Sequence, residues 1–203
     1  MALTGVVSLA ANLPGARVRM NFALAASGSI EQKATLDAAL AGTLSTRTSD
    51  TAGTLTMGAN HGITDADIIA IFWTGGAAYL ATVGTVDGLS VPFTGAAGDV
   101  LPVGEAPAVT VQIMTPLDVD FDGDKAECVA VSFSRRGVIV FEDSGDAVLD
   151  AADIAAGEGY AYVEGLSQSN PLTGNAVDEV WIANGDSTAT NAFVLGVLYN
   201  SDE

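Results

Sequence analysis

Residues 78–93 read AYLATVGTVDGLSVPF, two apolar-rich runs (78–86 and 89–93) parted only by Asp87-Gly88. Val, Thr, Tyr and Phe suit a pleated strand and Asp-Gly interrupts one, so the stretch reads as two short strands and a turn. The same grammar recurs on both sides, with GTLTM opening residues 53–58, IIAIFW at 68–73 and AVTVQIM at 108–114. Five short strands within about sixty residues predict a small antiparallel barrel over residues 51–115.

The pattern extends in both directions. After Pro116 come strand-like runs at 126–134, 135–143, 159–165, 176–185 and 190–200, with turns such as Asp143-Ser144-Gly145-Asp146 and Asn184-Gly185-Asp186-Ser187 between them. Their number falls short of two complete sheets. RVRMNFALAA at 17–26 and SIEQKATL at 29–36 would supply the missing edges. The second of these carries two signals. Ser29 to Gln32 forms a helix-capping box, yet Ile30, Gln32, Ala34 and Leu36 alternate as in a strand, and the strand is the reading taken. GTLST at 42–46 echoes GTLTM and is assigned to the part that precedes the barrel. The expectation is an all-β chain with little helix: an antiparallel β-sandwich from residues 1–50 plus 116–203, interrupted by a small β-barrel at 51–115.

Composition bounds the function. Of 203 residues 49% are hydrophobic and 16% charged, which describes a packed protein and not an acidic tail. Twenty-five acidic against seven basic residues give a net charge of −18, which opposes nucleic acid and anionic membranes as partners. Cys128 is the single cysteine, so neither an internal disulfide nor a multi-cysteine metal site can form, and its apolar surroundings suit an inert buried thiol. The N-terminus lacks the basic start of a signal peptide, and no run of about 18 apolar residues would span a bilayer, so synthesis in the cytosol is expected.

Residues 118–124, DVDFDGD, start as an EF-hand loop does, with Asp118, Asp120 and Asp122 at ligand positions and Gly123 at the turn. Position 12, which should be a glutamate closing the cage, is Val129. The competing reading is a solvated acidic turn, with Val119 and Phe121 facing inward. Asp118, Asp120 and Asp122 are the only candidate metal ligands, for calcium, and no other cofactor is expected.

His61 is the sole histidine and no GxSxG elbow accompanies it, so a turn histidine is favoured over a catalytic triad. Acid pairs such as Asp65 with Asp67, Glu142 with Asp143 and Asp178 with Glu179 are what any chain this acidic provides, and neighbours along a strand point to opposite faces. Glycine stretches lack the GxxxxGK[ST] pattern. No catalytic residues are assigned, and the chain is not expected to be an enzyme. Trp73 and Trp181 read as core or edge residues, with an exposed binding platform as the alternative.

Gly53-Thr54-Leu55-Thr56 followed by His61-Gly62-Ile63-Thr64-Asp65-Ala66-Asp67-Ile68-Ile69 resembles the pattern T-x-T, H-G-[LI]-x-x-[GA]-D-x-V of small β modules in tailed-phage virion proteins. Gly84-Thr85-Val86 to Val91-Pro92, Gly98 to Pro102, and Gly185-Asp186-Ser187-Thr188-Ala189 are similar to segments of phage and prophage proteins. DVDFDGD departs from that pattern. The resemblance implies a virion structural component, best matched by a capsid decoration or cement protein that is homo-oligomeric and bound to the major capsid protein or other virion proteins. A tail tube or fibre-base subunit is the structural alternative. A carbohydrate-binding module using Trp73 or Trp181 and calcium at Asp118, Asp120 and Asp122 is the alternative of another class.

Overall fold

The computed structural model describes residues 3–9, 18–24, 29–96, 100–103, 107–118, 128–143, 148–163 and 177–197, with side chains from residue 33 onward except at 118, 128, 163 and 197. The fold is all-β, and no helix occurs among the described residues. In chain order the strands are β1 (Leu3–Leu9), β2 (Val18–Leu24), β3 (Ser29–Leu36), β4 (Leu40–Arg47), β5 (Ala52–Met57), β6 (Ile68–Phe72), β7 (Tyr79–Val83) and β8 (Ser90–Gly95). They continue as β9 (Ala108–Ile113), β10 (Thr115–Asp118), β11 (Cys128–Phe133), β12 (Gly137–Glu142), β13 (Val148–Ile154), β14 (Gly159–Val163), β15 (Glu179–Asn184) and β16 (Thr190–Val197).

Two compact units partition the chain. One comprises Leu36–Thr115 with Ala183–Thr190, the other Met1–Thr35, Pro116–Ile182 and Asn191–Glu203. In the first, six antiparallel strands close into a barrel in the order β4-β5-β8-β7-β6-β9, with β4 also paired to β9. Closure removes every free edge and lets alternate residues fill the interior. Leu44, Leu55, Ile69, Ile71, Tyr79, Val83, Val91, Phe93 and Val111 form that core.

The barrel has one strand more than its sequence suggested. β4, placed by pattern in the segment before the barrel, pairs Gly42 with Met57 and Leu44 with Leu55. GTLST and GTLTM are therefore the two arms of one hairpin. A bulge between Leu44 and Thr46 turns Ser45 so that its hydroxyl bonds Thr54 O at 3.0 Å. A five-stranded set would have left the edges of β5 and β9 bare, and β4 satisfies both.

β6 is buried on both faces: Ile69 and Ile71 point into the barrel, while Ala70 and Phe72 are at 0% and 2% exposure on its outside. Residues 183–190 explain the cover at Phe72. Gly185 lies so close that a Cβ there would sit 2.7 Å from the ring.

The second unit holds two four-stranded sheets, β10-β15-β12-β13 and β14-β11-β16-β3, and a separate ribbon of β1 with β2. Val129, Val131 and Phe133 of β11 and Ala192 and Val194 of β16 face the core at 0–2% exposure. From the other sheet the buried Phe141 ring lies 6.1 Å from Tyr160 and 5.7 Å from Tyr162 of β14, centroid to centroid. In β12 the continuous apolar run Val138-Ile139-Val140-Phe141 is buried on both faces, as uninterrupted runs of this kind usually are. Ser29–Leu36, the segment with competing helix and strand signals, is strand and edges the second sheet.

Candidate functional site

Three of the polar residues singled out by the sequence, His61, Asp65 and Asp67, lie together at one end of the barrel, in the β5–β6 connection that meets the β7–β8 turn. Asn60 and Gly62 adopt φ of 61° and 72°, which folds the chain back on itself around His61. His61 Nδ1 accepts from the Ile63 amide at 3.1 Å, so the proton sits on Nε2, which donates to Gly88 O at 3.0 Å. The imidazole thus ties the connection to the turn that lies 27 residues further on. Ile63, carried between these bonds, plugs the barrel end at 3% exposure.

The two aspartates act in the same way. Asp67 Oδ2 accepts from Thr64 N at 2.7 Å and Thr64 Oγ1 at 3.1 Å, a local turn cap. Asp65 Oδ1 accepts from Val86 N at 2.8 Å, reaching the far loop. Ala66, between them, has φ of 67° and donates its amide to Val83 O at 3.1 Å. Gly88, at φ 57°, completes the Asp87–Ser90 turn, whose ends exchange bonds of 3.0 and 2.9 Å. His61 and Asp65 are engaged with a backbone carbonyl and a backbone amide across the loops, and Asp67 with the amide and hydroxyl of Thr64 within its own turn.

Other candidates are equally engaged in packing. Trp73 lies 6.2 Å from Tyr79 and covers Gly76, where a Cβ would fall 1.7 Å from Trp73 Nε1. Tyr79 is buried, with its hydroxyl donating to Thr51 O at 2.9 Å. Trp181 is partly exposed on β15, while its Nε1 is buried without a hydrogen-bond partner among the described residues. Glu179 opens β15 and Asp178 precedes it, the Asp178 amide donating to Glu142 O at 2.9 Å.

Asp120 and Asp122 lie outside the described residues, as does the side chain of Asp118, whose backbone ends β10. The side chain of Cys128, at the start of β11, lies outside them too. Among the described residues no group of three or more His, Cys, Asp or Glu is placed to hold a metal ion. One open depression of about 410 Å³ is lined by Arg136, Asp153, Ala155, Ala156 and Glu158. Its arginine is held in a two-pronged pair with Asp153, at 2.6 and 3.1 Å.

Pattern reading missed the polar groups joined over long separations. Asn184, fully buried, donates through Nδ2 to Asp37 O and Thr188 O, both at 2.8 Å, and accepts from Asp186 N at 2.9 Å. Its amide donates to Gln112 Oε1 at 2.5 Å, while Gln112 Nε2 donates to Asp37 O at 2.8 Å. Thr110 Oγ1 donates to Gly185 O at 2.8 Å. The signal for this knot was the turn Asn184-Gly185-Asp186-Ser187, whose side chains do cap their own loop. No protein-family model matches the sequence, and no curated protein matches it.

Proposed function

We propose that this chain is a structural subunit of a tailed-phage virion, most specifically a capsid decoration or cement protein that binds the head through its surface and performs no turnover. The observation that carries the reading is the loop system around His61. The residues that make the sequence resemble phage β modules, His61, Gly62, Ala66 and Asp67, serve to brace a closed barrel, as a module selected for shape would use them. The same residues offer little to chemistry.

Other features agree. A net charge of −18 keeps the protein soluble where many copies sit close together, as they would on a shell. Residues 29–36 and 148–154 are strands β3 and β13 within sheets, whereas a tube subunit needs a long loop or helix to contact the next ring. Trp73, one of the two platforms a carbohydrate-binding module could use, is packed on Gly76 and Tyr79. The partner in this reading is the major capsid protein or another virion protein, met in the virion after synthesis in the host cytoplasm.

Co-sedimentation with expanded phage shells tests the proposal directly. Saturable binding at a fixed number of copies per shell is the expected result. A protein that stays in the supernatant over shells of its own phage sinks the reading, and rings or tubes in negative stain would favour the tail alternative.

A further inference from the structure

Two requirements meet at adjacent positions of the barrel unit. Asn184 is fully buried and bonds Asp37 O, Thr188 O and the Asp186 amide through its side chain, a set that needs donor and acceptor on one short group. Gly185 must be glycine, because a Cβ there would sit 2.7 Å from the ring of Phe72, which at 2% exposure has nowhere to move. Together these demands give the sequence its one Asn-Gly pair.

Asn-Gly is the asparagine pair most prone to lose its side-chain amide in water, because glycine has no side chain to shield its nitrogen and turns it freely toward the preceding residue. In ring closure the Gly185 nitrogen bonds to Asn184 Cγ, the Cγ–Nδ2 bond breaks, and Nδ2 leaves as ammonia with the proton of the Gly185 amide. Water then opens the five-membered imide, at Cγ to leave aspartate or at the main-chain carbonyl to leave isoaspartate. The sum is one water in and one ammonia out, with no oxidant or cofactor. In the folded unit this closure is blocked. Asn184 ends β15 with its amide on Gln112 Oε1 at 2.5 Å and its Nδ2 between two carbonyls at 2.8 Å, while Gly185 O is held by Thr110 Oγ1 at 2.8 Å. Cγ cannot be carried onto the Gly185 nitrogen while those bonds hold.

We propose that Asn184-Gly185 is a deamidation site that the native barrel unit conceals, and that reaction there, once the unit has opened, prevents it from closing again. The product carboxylate has no N–H for Asp37 O or Thr188 O and sets a negative charge against both carbonyls. Isoaspartate also lengthens the main chain by one methylene beside the close approach of Gly185 to Phe72. An opened chain that reacts therefore cannot rebuild the knot, and a transient opening becomes an irreversible one. The inference does not rest on the virion reading, because it requires only this chain and water.

The test follows Asn184 by peptide mass spectrometry in the full chain, held in mildly alkaline buffer with and without unfolding guanidinium chloride. Deamidation should be at least ~10-fold slower in the folded chain, where it must pass through rare opening of a buried region. Thr110→Val, which removes the hydroxyl on Gly185 O, and Gln112→Ala should each speed the folded-state reaction ~3-fold or more and leave the unfolded rate unchanged. Should Gln112→Ala fail to fold, Thr110→Val carries this arm. Chains deamidated in denaturant, separated by ion exchange for their added negative charge, should refold with a lower thermal midpoint than unreacted chains from the same pool. Asn184→Asp, expressed directly, is one of the two products and should show the same loss. Equal rates in the folded and unfolded chain, a folded-state rate that neither variant changes, or an Asn184→Asp chain that melts with the native protein overturns the proposal.

Discussion

Asn184 makes three side-chain hydrogen bonds, all to backbone groups; without it the Thr188 carbonyl and the Asp186 amide lose the bond it supplies, and Asp37 O keeps only that from Gln112 Nε2. Replacing it by Ala should cost about 3 kcal/mol, because the groups that lose a bond cannot recover water. Asn184→Asp should cost at least as much, since a carboxylate cannot donate to Asp37 O or Thr188 O; urea denaturation of both variants measures the effect. Ala66 shows the opposite balance. At φ 67° its Cβ is strained where glycine would not be. Ala66→Gly should gain about 0.5 kcal/mol, the relief of strain outweighing the added entropy of the unfolded chain. A midpoint that falls instead would mean that the Ala66 methyl packs usefully. His61 was legible from sequence as a turn residue and Asp65 and Asp67 as loop carboxylates, but the Gly88 carbonyl and Val86 amide that His61 and Asp65 meet were not, because they lie more than twenty residues away.

Among the elements, β8 and β7 meet where Gly95 allows the Tyr79 ring to lie against the backbone. A Cβ at Gly95 would sit 2.3 Å from Tyr79 Oη. The hydroxyl and the Gly95 amide share Thr51 O, at 2.9 and 2.8 Å, so displacing the ring disturbs both bonds. Gly95→Ala should therefore destabilise the barrel by about 2 kcal/mol, read from the thermal midpoint. In the sandwich, β13 and β14 belong to different sheets, and the Tyr160 hydroxyl bridges them by donating to Asp150 Oδ2 at 2.5 Å. That hydrogen bond, with some burial and the Asp150 charge, pushes the Tyr160 phenol up from 10.0 to about 12. The folded state favours the protonated phenol, so its stabilising contribution is whole below pH 10 and is lost as pH rises from 10 to about 12. Stability measured from pH 8 to 12 should fall more steeply for the native chain than for Tyr160→Phe; parallel curves would refute the bridge. β13 itself escaped the sequence reading. VLDAADI is rich in Ala and Asp, which favour strands weakly, and its place was decided by pairing with β12.

For the whole molecule, a charge of −18 on 203 residues is a standing repulsion that salt screens. Raising ionic strength from ~0.02 to ~0.3 M should lift the thermal midpoint by about 3 °C, measured calorimetrically. A lower midpoint at high salt would show that surface pairs such as Arg136–Asp153 outweigh the repulsion. By itself the sequence determined what neighbouring residues encode: the β class from apolar runs and turn residues, most strand positions in both units, and the excess of acidic over basic residues. Tertiary structure alone decided which strands pair and close. β4 joins the barrel because β5 and β9 both needed a partner, a requirement invisible in GTLST itself. It also decided which polar atoms are satisfied, as when Asn184 meets Asp37 across 147 residues. Local pattern follows from the φ/ψ and burial preference of each short segment. Closure and polar satisfaction depend on chain ends meeting across long loops, and only the packed core brings those ends together.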